Sequence, residues 1–165
     1  MTVYATMDSP VGELLLAGEQ AGGGLGLRSV SMPGQPGAPT PQPGWNHDPA
    51  AFAEAIRQLA AYFAGELTVF DLELAPDGTA FQRRVWQALD TIPYGTTTSY
   101  GRLAAQLGEP PDRIQAVAAA VGANPLLIVR PCHRVVGADG TMRGYAAGVL
   151  RKQQLLAHEG ALLPG

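Results

Sequence analysis

One cysteine, Cys132, stands in a chain of 165 residues. An intramolecular disulfide is therefore excluded, and such cysteine usage fits a reducing compartment. Cys and His residues at zinc-ligand spacing are absent, so no structural or catalytic metal is expected. No apolar run approaches the ~18 residues that a membrane-spanning helix needs, and the N-terminus lacks the basic and apolar blocks of a secretory signal. The expectation is a soluble cytoplasmic protein without membrane contact, of a length that makes one medium domain or two small ones.

The formal charge of −3 speaks against a polyanionic partner until the chain is cut near Gly78. Residues 1–78 carry two arginines against nine acids, a net −7, whereas residues 79–165 carry eight arginines and Lys152 against five acids, a net +4. A basic half joined to an acidic one is a sign of a polyanion-binding segment. A charge of +4 is also compatible with ordinary solvated faces.

In the first half, Thr2 to Met7, the Ser9-Pro10-Val11-Gly12 turn and Glu13 to Ala17 read as a β-hairpin, with Leu25 to Val30 as a third strand. Residues 31–44 are so rich in Pro and Gly that they predict an irregular loop. Asp48 caps a helix that opens on Pro49, carries Phe52, Ile56, Leu59 and Phe63 at helical spacing, and ends at Gly65. Nothing in residues 1–78 suggests chemistry.

Pro76-Asp77-Gly78 marks the boundary, because Thr79 and Gln82 form a capping box for a helix through Phe81, Val85, Trp86 and Leu89. Ser99 starts a short helix with Leu103 and Leu107 inward and Gly108 at its end, and another begins near Asp112. Two short helices joined by a tight Gly/Pro turn suggest a helix-turn-helix. In the second, Ile114, Val117 and Val121 form the core stripe, leaving Arg113, Gln115, Ala116, Ala119 and Ala120 outside. Small outer residues let a helix lie close to a DNA backbone without reading bases, although an alanine-rich packing helix fits the same periodicity.

The stretch with most chemistry is Pro131-Cys132-His133-Arg134-Val135-Val136-Gly137. A thiol attacks as its thiolate, with an ordinary pKa of about 8.5, so an imidazole that takes the proton makes it usable at neutral pH. Leu126 to Val129 read as an apolar strand that Pro131 stops, so the chain turns at Cys132, where side chains become accessible. Arg134 adds positive charge beside the thiol. A small buried hydrophobe behind a strand has the same local sequence, and adjacency in the chain does not establish contact in space. After Asp139-Gly140 and Gly144-Tyr145 a final helix runs from about Gly148 to His158, closed by Glu159-Gly160.

The Pro131–Val135 motif resembles the signature of the O6-alkylguanine-DNA alkyltransferases, also called methylated-DNA–protein-cysteine methyltransferases. The resemblance extends through Phe81-Gln82, Val85-Trp86, Ile92-Pro93-Tyr94-Gly95, Ser99-Tyr100, Asn124-Pro125, Gly144-Tyr145 and Leu155 to Gly160. Over residues 1–78 it is thinner but collinear. It implies an α+β protein, with a small ribonuclease-H-like α/β scaffold domain at 1–78 and a mostly helical domain at 79–165 that bears a winged helix-turn-helix-like motif. It implies direct repair: a monomer binds the minor groove of double-stranded DNA, flips an alkylated guanine out of the stack, and moves its O6-alkyl group onto Cys132 once, without cofactor.

By the same resemblance His133 is the base for the thiol, Glu159 orients it, Tyr100 donates to the departing base, and Asn124 ties the docking helix to the Cys132 turn. Val135, Tyr145 and Ala146 hold the base, while Gln115, Arg113, Ala116, Ala119 and Arg102 face DNA. The chain departs from the family at Gln115, where an intercalating arginine is usual. It departs again at Ala118-Ala119 and Ala146-Ala147, where added methyl groups narrow the pocket or strain a glycine-like backbone, so small alkyl groups are expected to be tolerated better than bulky ones. The competing reading is a non-catalytic alkyltransferase-like lesion binder; such relatives usually replace the cysteine, which Cys132 argues against.

Overall fold

A computed structural model describes residues 1–142 and 144–161, and the chain divides into two compact units, Met1–Asp77 and Gly78–Gly165. In the first, β1 (Thr2–Met7), β2 (Leu14–Ala21) and β3 (Gly24–Ser31) form an antiparallel meander, to which the two-residue β4 (Asn46–His47) adds in parallel beside β1. The sheet order is β3-β2-β1-β4. The outer edge of β3 is closed by the chain itself: Leu27 N–H donates to the Glu73 carbonyl at 2.9 Å and Ala75 N–H to the Leu27 carbonyl at 2.8 Å.

Asp48 accepts from the Ala51 amide and starts a 3-10 turn at Pro49, which runs into α1 (Ala53–Phe63). Phe52 and Leu59 are fully buried as their spacing predicts, together with Leu14, Leu16 and Val30 of the sheet, but Ile56 and Phe63 are only half-buried and Tyr62, one position earlier, takes the inward place of Phe63. Residues 31–44 form successive turns around Gly34 and Gly37.

The second unit opens with α2 (Ala80–Leu89), whose N-terminus carries the expected capping box: Thr79 Oγ1 accepts from Gln82 N–H at 3.1 Å and Gln82 Oε1 from Thr79 N–H at 3.0 Å. Gly78 precedes it at a place where no side chain fits. A Cβ there would lie 2.5 Å from Cη2 and 2.6 Å from Cζ3 of Trp86, itself 1% exposed. Gly78→Ala is therefore expected to destabilise the protein by about 1–3 kcal/mol through overpacking, read as a lower denaturation midpoint at unchanged m-value.

The pair β5 (Thr98–Ser99) leads into α3 (Tyr100–Gln106), and α4 (Ile114–Gly122) follows after Leu107–Arg113. Val117 and Val121 face the core, whereas Leu107 and Ile114 are only half-buried. Ala120, expected on the outer face, is buried. It lies one turn from Val117, and its carbonyl accepts the Trp86 indole N–H at 2.8 Å, so the α2 contact takes in this position as well.

Residues 126–129 are not the expected strand. They form a tight turn in which Val129 N–H reaches the Leu127 carbonyl at 2.8 Å and Arg130 N–H the Leu126 carbonyl at 2.9 Å. The cause is Asn124: its Oδ1 accepts from Leu126 N–H at 3.1 Å, and its Nδ2 donates to the carbonyls of Leu126 and Arg130 at 3.3 and 3.1 Å. With Pro125 and Pro131 at either side supplying no N–H, the backbone groups a sheet would use are taken by this one side chain. Ile128 pays with φ of +71°, the one positive value among described non-glycine residues. None of Ala118, Ala119, Ala146 and Ala147 has a positive φ, so the glycine-like strain expected of them is not present.

Cys132–Arg134 form a 3-10 turn, β6 (Val135–Val136) follows, and α5 (Val149–His158) closes the unit. β5 and β6 pair in parallel, Thr98 with Val135 and Ser99 with Val136.

Candidate active site

That short parallel pair is what brings the helix-turn-helix to the cysteine. Ser99 caps α3 through its hydroxyl, which accepts from Arg102 N–H at 3.1 Å, so Tyr100 starts the helix directly beside the end of the Cys132 turn. Asn124 follows the α4 C-cap and holds the turn, and its side chain favours the ionised form of the Cys132 thiol. Both helices are thereby joined to the backbone that flanks Cys132.

Cys132 is 4% exposed, more enclosed than a turn at a strand end suggests. Burial pushes its pKa up to about 11, against which the Asn124 hydrogen bond and the charge of Lys152 act. At neutral pH the resting sulfur is therefore held mainly as the thiol. The positive charge felt at the sulfur is that of Lys152. Arg134, expected beside the thiol, is committed elsewhere.

His133 is wholly buried, and its Nε2 stands 2.7 Å from Glu159 Oε2. Arg134 clamps the same carboxylate from its other side, with Nε to Oε1 at 2.7 Å and Nη2 to Oε2 at 3.1 Å, and donates through Nη1 to the Ile92 carbonyl at 2.6 Å. Its guanidinium also lies 5.6 Å from the centre of the Tyr94 ring. Burial first, then the charges of Arg134 and Lys152, lower the His133 pKa against the raising effect of Glu159. The imidazole is neutral, Nε2 carries the hydrogen that the carboxylate accepts, and Nδ1 is a buried acceptor with no hydrogen-bond partner. This is the state a general base requires.

A cleft of about 650 Å³ is lined by Tyr100, Gln115, Ala118, Gly122, Tyr145 and Ala146 among others; Cys132 and His133 are not among its lining residues. Four of the residues singled out in the sequence, Tyr100, Gln115, Tyr145 and Ala146, thus share one cavity. Val135 is buried, Ala116 half-buried, and Ala119 and Arg102 exposed. Arg113 does not line the cleft: its Nε lies 3.6 Å from Glu109 and its guanidinium 5.2 Å from the Phe81 ring centre.

Sequence reasoning missed two features. The Arg134 clamp has no signature in the chain. Lys152 had one, since it precedes Leu155 and Leu156 by three and four residues and so belongs to the inward stripe of α5, where it is 0% exposed. Among the described residues no group of three His, Cys, Asp or Glu is placed to hold a metal ion, and no helix is long and apolar enough to cross a membrane.

A buried cysteine followed at once by a His–Glu pair, in a turn joined to two short helices linked by a tight turn, defines a class: DNA-binding proteins built around one cysteine. Two family models match the chain: the 6-O-methylguanine DNA methyltransferase ribonuclease-like domain over residues 2–76, and the DNA binding domain of the same enzymes over residues 80–161. The chain belongs to the 6-O-methylguanine DNA methyltransferase family. It is 53% identical over 159 residues to the methylated-DNA–protein-cysteine methyltransferase of Mycolicibacterium paratuberculosis, covering 96% of this chain and 93% of that protein. The relative from Methanosarcina acetivorans, named likewise, is 47% identical over 96% of this chain and 98% of its own. Among solved structures, the Mycobacterium tuberculosis OGT in complex with DNA superposes with a TM-score of 0.85 at 50% identity, over 96% of this chain and 93% of that one.

Proposed function

We propose that this protein repairs DNA by moving the O6-alkyl group of guanine onto Cys132, once per molecule. The observation that carries the reading is the buried His133–Glu159 pair directly after Cys132, in a turn that Asn124 holds and the β5–β6 ladder joins to Tyr100, which lines the cleft together with Gln115 of α4. His133 Nδ1 takes the thiol proton, directly or through a water, and Glu159 stabilises the imidazolium. The sulfur lone pair forms a bond to the alkyl carbon while the carbon–O6 bond breaks and its electron pair stays on the base. Tyr100 gives its hydroxyl proton to the departing guanine, and the proton held by His133 restores the phenol. The products are guanine and a thioether with no easy reverse path.

The attack needs sulfur in line with carbon and leaving oxygen, a geometry closed to a base stacked in a duplex, so the lesion is flipped into the cleft. There Val135, Tyr145 and Ala146 hold it. The helix-turn-helix docks in the minor groove as a monomer through Gln115, Ala116, Ala119, Arg102 and Arg113, with Gln115 filling the vacated space. Residues 79–165 carry this work and residues 1–78 scaffold it, in the cytoplasm. O4-alkylthymine presents the same alkyl–oxygen bond and is a second substrate.

Incubating the protein with excess duplex bearing O6-methylguanine tests this. Restored guanine should rise to one per chain and stop. Binding of the lesion with no guanine restored establishes instead the second reading, a lesion binder without transfer, which the uncharged Gln115 favours. Gln115→Arg should tighten duplex binding and steepen the slope of log affinity against log salt by about 0.9, as one more phosphate-neutralising charge would. An unchanged slope means residue 115 does not face DNA.

A further inference from the structure

Lys152 has no place in the transfer steps above, yet it is as deeply buried as any residue of the protein. An ammonium taken out of water is costly, and a methionine of similar length would fill the same space in α5 at no such cost. Its surroundings give the reason. Nζ stands 5.8 Å from the centre of the Tyr100 ring at the start of α3. The charge of Lys152 acts on Cys132 and on His133 in the 3-10 turn. The coupling is mutual, since Cys132 acts back on Lys152. The remaining charged groups at this place, Arg134 and Glu159, are bound to each other and to His133.

We propose that Lys152 is a positioning residue for the transfer, a fixed buried cation that stabilises negative charge on the Cys132 sulfur and then on the Tyr100 oxygen. This rests on Cys132 being the acceptor, and it assigns the charge on one side of the reaction to one residue. Moving the thiol proton to His133 creates a thiolate and an imidazolium. Lys152 favours the first and opposes the second, so it biases the proton pair toward a reactive sulfur with a strongly acidic imidazolium, ready to return its proton to Tyr100. When Tyr100 gives up its proton, the ammonium over its ring offsets the charge left on the phenol oxygen. Burial brings Lys152 down to about 8, so the cation is present at neutral pH and fades above that value.

The test uses a reagent that needs no DNA. Methyl iodide offers the sulfur a methyl group without DNA, and intact mass is to give the rate of Cys132 methylation at each pH. In Lys152→Met the rate at pH 7.5 should fall roughly tenfold, the effect of about one unit in thiol pKa, with the profile displaced to higher pH. Lys152→Arg should restore the rate to within about threefold, since it returns the charge but not the shape. Lys152→Gln provides the same comparison should the methionine variant not fold. Profiles of Lys152→Met or Lys152→Gln that superpose on the parent overturn the inference. A displaced profile in a protein that never restores guanine keeps the role of Lys152 and sinks the repair reading; an undisplaced profile with normal transfer does the reverse.

Discussion

Cys132→Ser should bind lesion DNA with the parent's affinity and restore no guanine. The substitution replaces one buried atom in a site whose other members stay in place, because Asn124 holds the turn through backbone groups rather than through the sulfur alone. A hydroxyl is far weaker as a nucleophile than the sulfur it replaces, and no second cysteine exists to take the group. Affinity measured by fluorescence anisotropy and guanine restoration measured on the same sample separate the two properties. Residual transfer at the parent's rate would place the acceptor elsewhere.

The second large effect concerns Arg134. Its guanidinium closes a buried network of His133, Glu159 and the Ile92 carbonyl, with the Glu159 side chain 0% exposed. Arg134→Met leaves that carboxylate facing one neutral imidazole. Removing one partner of a buried ion pair costs about 3–5 kcal/mol, which for a unit of this size lowers Tm by about 15 °C or more. The same change removes a charge that opposes protonation of His133, so the His133 pKa rises and transfer at mildly acidic pH falls further than at pH 8. Adding Glu159→Gln should recover much of the lost Tm by deleting the stranded charge, without recovering transfer. Calorimetry of the two variants beside single-turnover rates checks both statements. Equal Tm values for parent and Arg134→Met would show that the clamp holds nothing.

What the chain disclosed before its structure follows a physical division. Caps, stops and stripes are local: Thr79 with Gln82, Asp48 before Pro49, and the spacing of Phe52, Leu59 and Val85 each depend on neighbours within one turn of helix. Where a side chain from outside a segment takes over its backbone groups, the local pattern misleads. Leu126 to Val129 have a strand's composition but are wound around Asn124. Charge misleads in the same way, for Arg134 and Lys152 read as solvated or as acting on the nearest residue. Their real partners, Glu159 in one case and Tyr100 and Cys132 in the other, lie in other elements. The grouping of residues 100, 132, 133 and 159 came from the family resemblance, since no periodicity connects positions so far apart. Their joining depends on the two-residue ladder of β5 with β6, too short to leave a pattern in the chain.

The claim beneath all of this is that the sulfur of Cys132 is the final holder of the alkyl group. Peptide mass mapping of the protein after one round with an O6-methylguanine duplex tests it directly. The account predicts a single added methyl on the fragment that carries Cys132, at one per chain. A methyl on any other fragment, or unmodified protein alongside fully repaired DNA, contradicts it.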